Sequence, residues 1–158
     1  MKSTQGKMGR VFIIRLEEGD VLPDCLERFA KDNKVVLAQV TLIGGISKGE
    51  IVVGPRETDQ IPINPMKTPV EGAHEVIGVG VLAPSSDNEP VLHIHGALGR
   101  AGQTKTGCLR PGVKTWLVGE VIMTEILGAD ARRVLNQEKQ LELLEVSNCP
   151  RDIQEKRR

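Results

Sequence analysis

The sequence predicts an α+β domain in which a mainly antiparallel sheet or half-barrel is flanked by one or two helices. Three observations lead there. Strand-like aliphatic runs outnumber the single clear stretch of helical spacing, and the connections between them are short enough to favour antiparallel pairing. Aromatic residues are limited to Phe12, Phe29 and Trp116, so the core must be built from Val, Ile and Leu. A chain of 158 residues can bury about two-thirds of its unfolded surface around one core, and one domain is expected.

Residues 1–9 are polar and read as a flexible lead-in to a domain spanning 10–146, with 147–158 a flexible charged tail that ends in Lys156-Arg157-Arg158. Residues 11–16 form a strand-like apolar run closed by the turn Glu17-Glu18-Gly19. Asp20 offers an N-cap and Pro23 suits a first helical turn. Leu22, Leu26, Phe29 and Ala30 then recur at helical spacing, which predicts an amphipathic helix over 21–32 with Asn33 as its stop. Branched aliphatics over 35–43 predict a long buried strand ending at Gly44-Gly45, and 49–53 a second, short one.

Four prolines, Pro55, Pro62, Pro65 and Pro69, make 54–72 an irregular connection of the kind often used for function or assembly. Alternation resumes over 75–82 and again over 91–98, on either side of a polar turn at 84–90. That is an antiparallel hairpin. A glycine-rich connection at 99–107, a long strand at 114–126 and an edge strand at 141–146 complete the pass.

Composition excludes several roles. Lysine plus arginine and aspartate plus glutamate number 21 each, so no overall field draws the chain to polyanions or to an anionic membrane, and any nucleic-acid contact must be local. Three scattered rings do not make a base-stacking platform. Cys25, Cys108 and Cys149 are odd in number, far apart and free of any C-x-x-C pair, which fits a reducing compartment. The N-terminus has no apolar signal region, and no uninterrupted apolar run approaches the ~20 residues that cross a bilayer. The reading is a cytoplasmic protein without a membrane partner.

The segment richest in chemistry is His93-Ile94-His95. On an extended strand, alternate side chains share a face about 6.5–7 Å apart, so two imidazoles can converge on one ion at about 2.0–2.1 Å from each ring. Ile94 then points into the core. The bland alternative is a pair of hydrogen-bonded polar side chains on a half-solvated strand. Zinc requires three or four ligands, so a third must be found. Cys108 is the first candidate, because it lies just beyond the glycine-rich connection and can fold back over the strand end; as a lone cysteine it is equally a small buried hydrophobe. His74 is a second candidate, or else an exposed surface histidine.

Glu75 begins one otherwise apolar strand and Glu120 interrupts another. Each carboxylate is a candidate to orient an imidazole, ligate a metal or act as a catalytic general base. The alternative for both is the polar face of a strand.

Taken together, Glu75-Val-Ile-Gly, then Val91-Leu-His93-Ile-His95-Gly, then Thr106-Gly-Cys108-Leu, then Glu120-Val-Ile resemble the PPC domain, the plants and prokaryotes conserved family. The likeness runs from about Arg10 to Val146, and the H-x-H-G segment with the glycine-rich loop and G-H-L-like turn is its most specific part. It implies a compact α+β subunit assembling as a homotrimer, with a metal-compatible histidine cluster near the subunit boundary. The family's two strand histidines match His93 and His95, and its third, in the turn, aligns with Cys108, a departure that replaces imidazole by a softer donor. With zinc on His93, His95 and Cys108, a fourth position is left for water or substrate, as in a lyase or hydrolase.

Prokaryotic members are also described as candidate DNA-binding proteins, and plant members add an AT-hook with an Arg-Gly-Arg-Pro core. No such core occurs here. The basic features nearest to it are Arg132-Arg133 and the terminal Lys156-Arg157-Arg158. A DNA-associated regulator working through loops or tails is therefore the competing expectation.

Overall fold

The computed structural model describes residues 1–147; the expected charged tail, with Cys149 and Lys156-Arg157-Arg158, otherwise lies outside the described residues. Nine strands and one helix are found among these residues: β1 (Lys7–Glu17), β2 (Val21–Leu22), α1 (Asp24–Asp32), β3 (Ala38–Pro55), β4 (Pro65–Pro84), β5 (Pro90–Arg100), β6 (Gln103–Leu109), β7 (Val113–Leu127), β8 (Ala131–Asn136) and β9 (Leu141–Val146). Seven strands form one antiparallel sheet in the order β1-β7-β3-β4-β5-β6, with β2 beside β7. The sheet-dominated fold is as expected, with a single helix.

The helix is shorter than its apolar spacing predicts. Val21 and Leu22 pair with Lys114 and Val113 of β7, and the helix begins only after Pro23, its N-cap residue. Asp20 is not the cap, for its Oδ2 accepts the Glu17 backbone N–H at 2.9 Å. Leu26 and Ala30 are fully buried against the sheet, and Asn33 ends the helix with its side-chain amide donating to the Phe29 carbonyl at 2.9 Å. Phe12 of β1 meets Phe29 edge-on at 5.3 Å between ring centres.

Three predicted loops are in fact strand. β3 runs on through Gly44-Gly45, where it shifts register against β7. Gly44 has φ +132, and a Cβ there would lie 2.4 Å from the Val118 carbonyl, so glycine marks a bulge and a close approach rather than a stop. The proline-rich connection shrinks to 56–64, because Pro55 and Pro65 sit at strand ends and Pro69 lies where β4 pairs only with β3. The glycine-rich segment after β5 is a two-residue turn, Ala101-Gly102, leading into β6. β1 likewise starts at Lys7, within the stretch read as a lead-in.

β3 changes neighbours along its length. Its first part, from Ala38 to Lys48, lies beside β7, whereas Ile51 and Val52 pair with Leu109 and Cys108 of β6. The sheet therefore curls until its last strand meets its third, without becoming a complete barrel. The concave side is filled by Leu22, Leu26, Leu42, Ile46, Leu82, Ile94, Leu98 and Met123, all 2% exposed or less. A separate hairpin, β8–β9, packs against the main body through Leu37, Ala83 and Ala131. β9 is the strand expected at 141–146, but its partner is β8, which has no counterpart in the sequence reading.

Candidate metal centre

The predicted hairpin places the two histidines as strand geometry requires. On β5, Leu92, Ile94 and Gly96 are buried while His93 and His95 are exposed, so the imidazoles share the outer face and Ile94 enters the core. Their Nε2 atoms are 3.1 Å apart and the ring planes stand 84° to one another. β6 supplies the third group, because His95 lies directly across from Cys108. One donor atom from each of His93, His95 and Cys108 lies within 4.8 Å of the others.

The donor types of this set suit a tetrahedral ion, with the sulfur to close in from a cluster 4.8 Å across. Bonds of about 2.0–2.1 Å to nitrogen and about 2.3 Å to sulfur call for N···N near ~3.3 Å and N···S near ~3.5 Å, so the imidazoles stand almost at the required separation. Burial pushes the Cys108 thiol above its ordinary range, with Arg110 and Arg133 working in the opposite direction. The His93 imidazole is held below the ordinary value, first by burial and then by Arg133, His95 and Arg110, which favours the neutral, ligating form.

Two supporting groups come from distant parts of the chain. Beyond β6, the free edge of β5 is met by α1: the Glu27 carboxylate accepts the Leu92 N–H at 2.8 Å. Arg133 of β8 donates through Nη2 to the Val81 carbonyl at 2.9 Å, and Val81 is the cross-strand partner of His93. Neither residue is signalled in the sequence as part of this site: Glu27 is an ordinary helix residue and Arg133 half of a basic pair until tertiary packing brings them to this strand.

The remaining candidates are elsewhere. His74 is not exposed and lies outside the His93–His95–Cys108 cluster; it is 5% exposed, and its Nδ1–H donates to the Gly72 carbonyl at 2.8 Å. Glu75 faces Gly99 on β5, four residues along β4 from Val79, the partner of His95, a separation of about 13 Å. Glu120 lies on β7, three strands from β5, or about 14 Å across the sheet. Both are exposed on the outer face, so within one chain no carboxylate expected to handle protons joins the cluster. The buried carboxylate of β7 is instead Glu125, paired with Arg10 through Nε at 2.8 Å and Nη2 at 2.7 Å.

The Plants and Prokaryotes Conserved (PCC) domain model matches residues 3–127. The chain belongs to this family. No curated protein matches it at a significant level. Among solved structures, the PCC fold is shared with a metal-containing protein from Archaeoglobus fulgidus at 23% identity and a TM-score of 0.79, covering 92% of this chain and 99% of that one. A plant- and prokaryote-conserved protein from Pyrococcus horikoshii follows at 22% identity and 0.78, covering 93% and 99%. A candidate DNA-binding protein from Ralstonia eutropha matches at 20% identity and 0.69, covering 85% and 90%. No helix among the described residues of this PCC protein is long and apolar enough to cross a membrane.

Proposed function

We propose that this PCC-domain protein is a homotrimer that holds a divalent metal, zinc, on His93, His95 and Cys108, leaving one coordination position open. The observation that carries the reading is the 3.1 Å approach of the two Nε2 atoms, with the Cys108 donor atom inside the same 4.8 Å cluster. The metal-containing Archaeoglobus relative adds support at the level of the fold. Zinc bound here would supply a Lewis acid and an acidified water, the equipment of a metal-dependent lyase or hydrolase. His93 and His95 would bind it as neutral imidazoles. Cys108 would lose its proton on ligation and would be kept reduced by the cytoplasmic location proposed from cysteine usage.

The trimer implied by family membership has a matching surface. Ile13, Ile122, Thr41, Val79 and His95 lie in one cross-strand row on the outer face, and Ile43 and Ile77 are in the next row. Ile13 is 87% exposed and Ile77 68%. An apolar face of this width marks an interaction surface, and the metal ligands stand at its end. Glu75 and Glu120 share that face, so they enter the centre only from a neighbouring copy.

The alternative, a DNA-associated regulator, draws on the candidate DNA-binding Ralstonia relative. It calls for salt-dependent binding to duplex DNA. Against it stand the balanced charge and the burial of Arg133, half of the basic pair noted in the sequence.

Elemental analysis tests the metal reading. Purified protein should carry about one zinc per chain, and a His93→Ala, His95→Ala double variant should lose it. Equal zinc in both samples removes the reading.

A further inference from the structure

Arg133 is a buried cation with few partners. It is 6% exposed, Nη2 bonds the Val81 carbonyl, and Nε is buried with no acceptor. A guanidinium taken out of water in this way is costly unless an anion or several acceptors meet it. The carboxylates close enough to act on it are Glu142 of β9 and Glu27 of α1, and Glu27 is already engaged with the Leu92 N–H. Cys108 lies within reach of the same guanidinium.

Arg133 is anchored beside His93, because the carbonyl that holds it belongs to the residue opposite that histidine. Arg110, exposed just past the end of β6, approaches from the other strand, and the charges of both arginines reach His93 and Cys108. A divalent ion on two neutral imidazoles and one thiolate keeps a net positive charge, and two guanidiniums add to it. A thiolate on the ion is already counted in that sum, and Glu27 and Glu142 offset two of the charges, which leaves a positive excess.

We propose that the open side of the His93–His95–Cys108 centre binds a small oxyanion of the carboxylate or phosphate type, held between the metal and the guanidiniums of Arg133 and Arg110. The exposed histidines and Arg110 give it access from solvent, and Arg133 is the buried cation held beside them. Charge-assisted bonds from guanidinium to a planar or tetrahedral oxyanion are the strong ones in such a setting. This inference rests on the metal reading above and names the class of ligand that the site takes.

The test is calorimetric titration of inorganic phosphate, and separately of acetate, into the zinc-loaded full chain, with zinc content measured in the same samples. At least one anion is expected to bind, and the arm that responds identifies the ligand type. Arg133→Gln should weaken that binding about tenfold or more while zinc content stays at the wild-type level. Arg110→Gln, an exposed position, should weaken it less and serves if Arg133→Gln fails to fold. In cobalt-substituted protein the anion should also shift the visible absorption. The inference is overturned if zinc is bound and neither anion binds, if both variants retain wild-type anion affinity, or if Arg133→Gln loses zinc instead of anion, which would make the arginine a partner of the thiolate alone. Wild-type protein that holds no zinc sinks the metal reading, and this inference with it.

Discussion

Alanine at position 80 should prise β4 away from β5, the strand that carries the histidine pair. Gly80 lies on the buried face of β4 opposite Ile94, and a Cβ there would fall 2.8 Å from the His93 carbonyl oxygen, 2.9 Å from Ile94 Cβ and 3.0 Å from Ile94 Cα. Ordinary contact begins near 3.4 Å, so β4 and β5 must separate by about 0.6 Å, and the groups in the way include backbone that cannot rotate aside. Overpacking of this kind costs about 1–3 kcal/mol. Removing glycine from the unfolded chain offsets about 0.4–1 kcal/mol of it. A net loss of about 1–2 kcal/mol lowers Tm by about 2–8 °C for a chain of this size. Gly78, two residues away on the same face, is the control: a Cβ there meets the His95 carbonyl at 3.3 Å and Ile94 Cδ1 at 3.4 Å, so Gly78→Ala should stay within about 1 kcal/mol of wild type. Denaturant unfolding of the metal-free proteins reads the difference, and zinc titration should find affinity lowered in Gly80→Ala alone. Equal unfolding midpoints for the two variants, or Gly78→Ala as the weaker protein, would refute the steric account.

Glu27→Ala removes the acceptor of the Leu92 N–H and should cost about 1–2 kcal/mol, with faster hydrogen exchange at Leu92 and His93; unchanged exchange there would show that α1 does not pin β5. The hydrogen bonds from Arg10 depress the Glu125 carboxyl from 4.5 to about 2, so between those values the unfolded chain binds the additional proton. Its stabilisation is therefore complete above about pH 4.5 and is lost as pH falls toward about 2, and Glu125→Gln should flatten that acid limb of a stability profile. Ile77→Glu, at a 68% exposed position, should leave the circular dichroism spectrum intact and reduce the mass measured by light scattering from that of the proposed trimer to that of a monomer. An unchanged mass would place the subunit contact on another face.

The legible parts of the fold were those whose signal is local. The β4–β5 hairpin is written in alternation about a polar turn, and alternation alone puts His93 and His95 outside and Ile94 inside. β6 was hidden because its first four residues, Gln103 to Thr106, are exposed and polar, leaving no apolar period to read. The prolines and glycines of β3 and β4 misled for a physical reason: they sit at strand ends, a bulge and a one-sided edge, where the ladder tolerates them. In the candidate site, Cys108 was found through its position after the connection. Glu27 and Arg133 were not, for they lie far away in sequence and meet the site only through α1 and the β8–β9 hairpin. Glu75 and Glu120 follow the alternative given for both in the sequence, the polar face of a strand, because the alternating strand turns both outward.

Cys108 is gripped from two sides, by His95 on β5 and by Val52 on β3. The sulfur thus belongs to the short seam, two residue pairs long, at which the curled sheet meets itself. Coordination there would work as a clasp: the ion would fasten β6 to β5 at the end of their ladder, beside the two residue pairs that join β6 to β3.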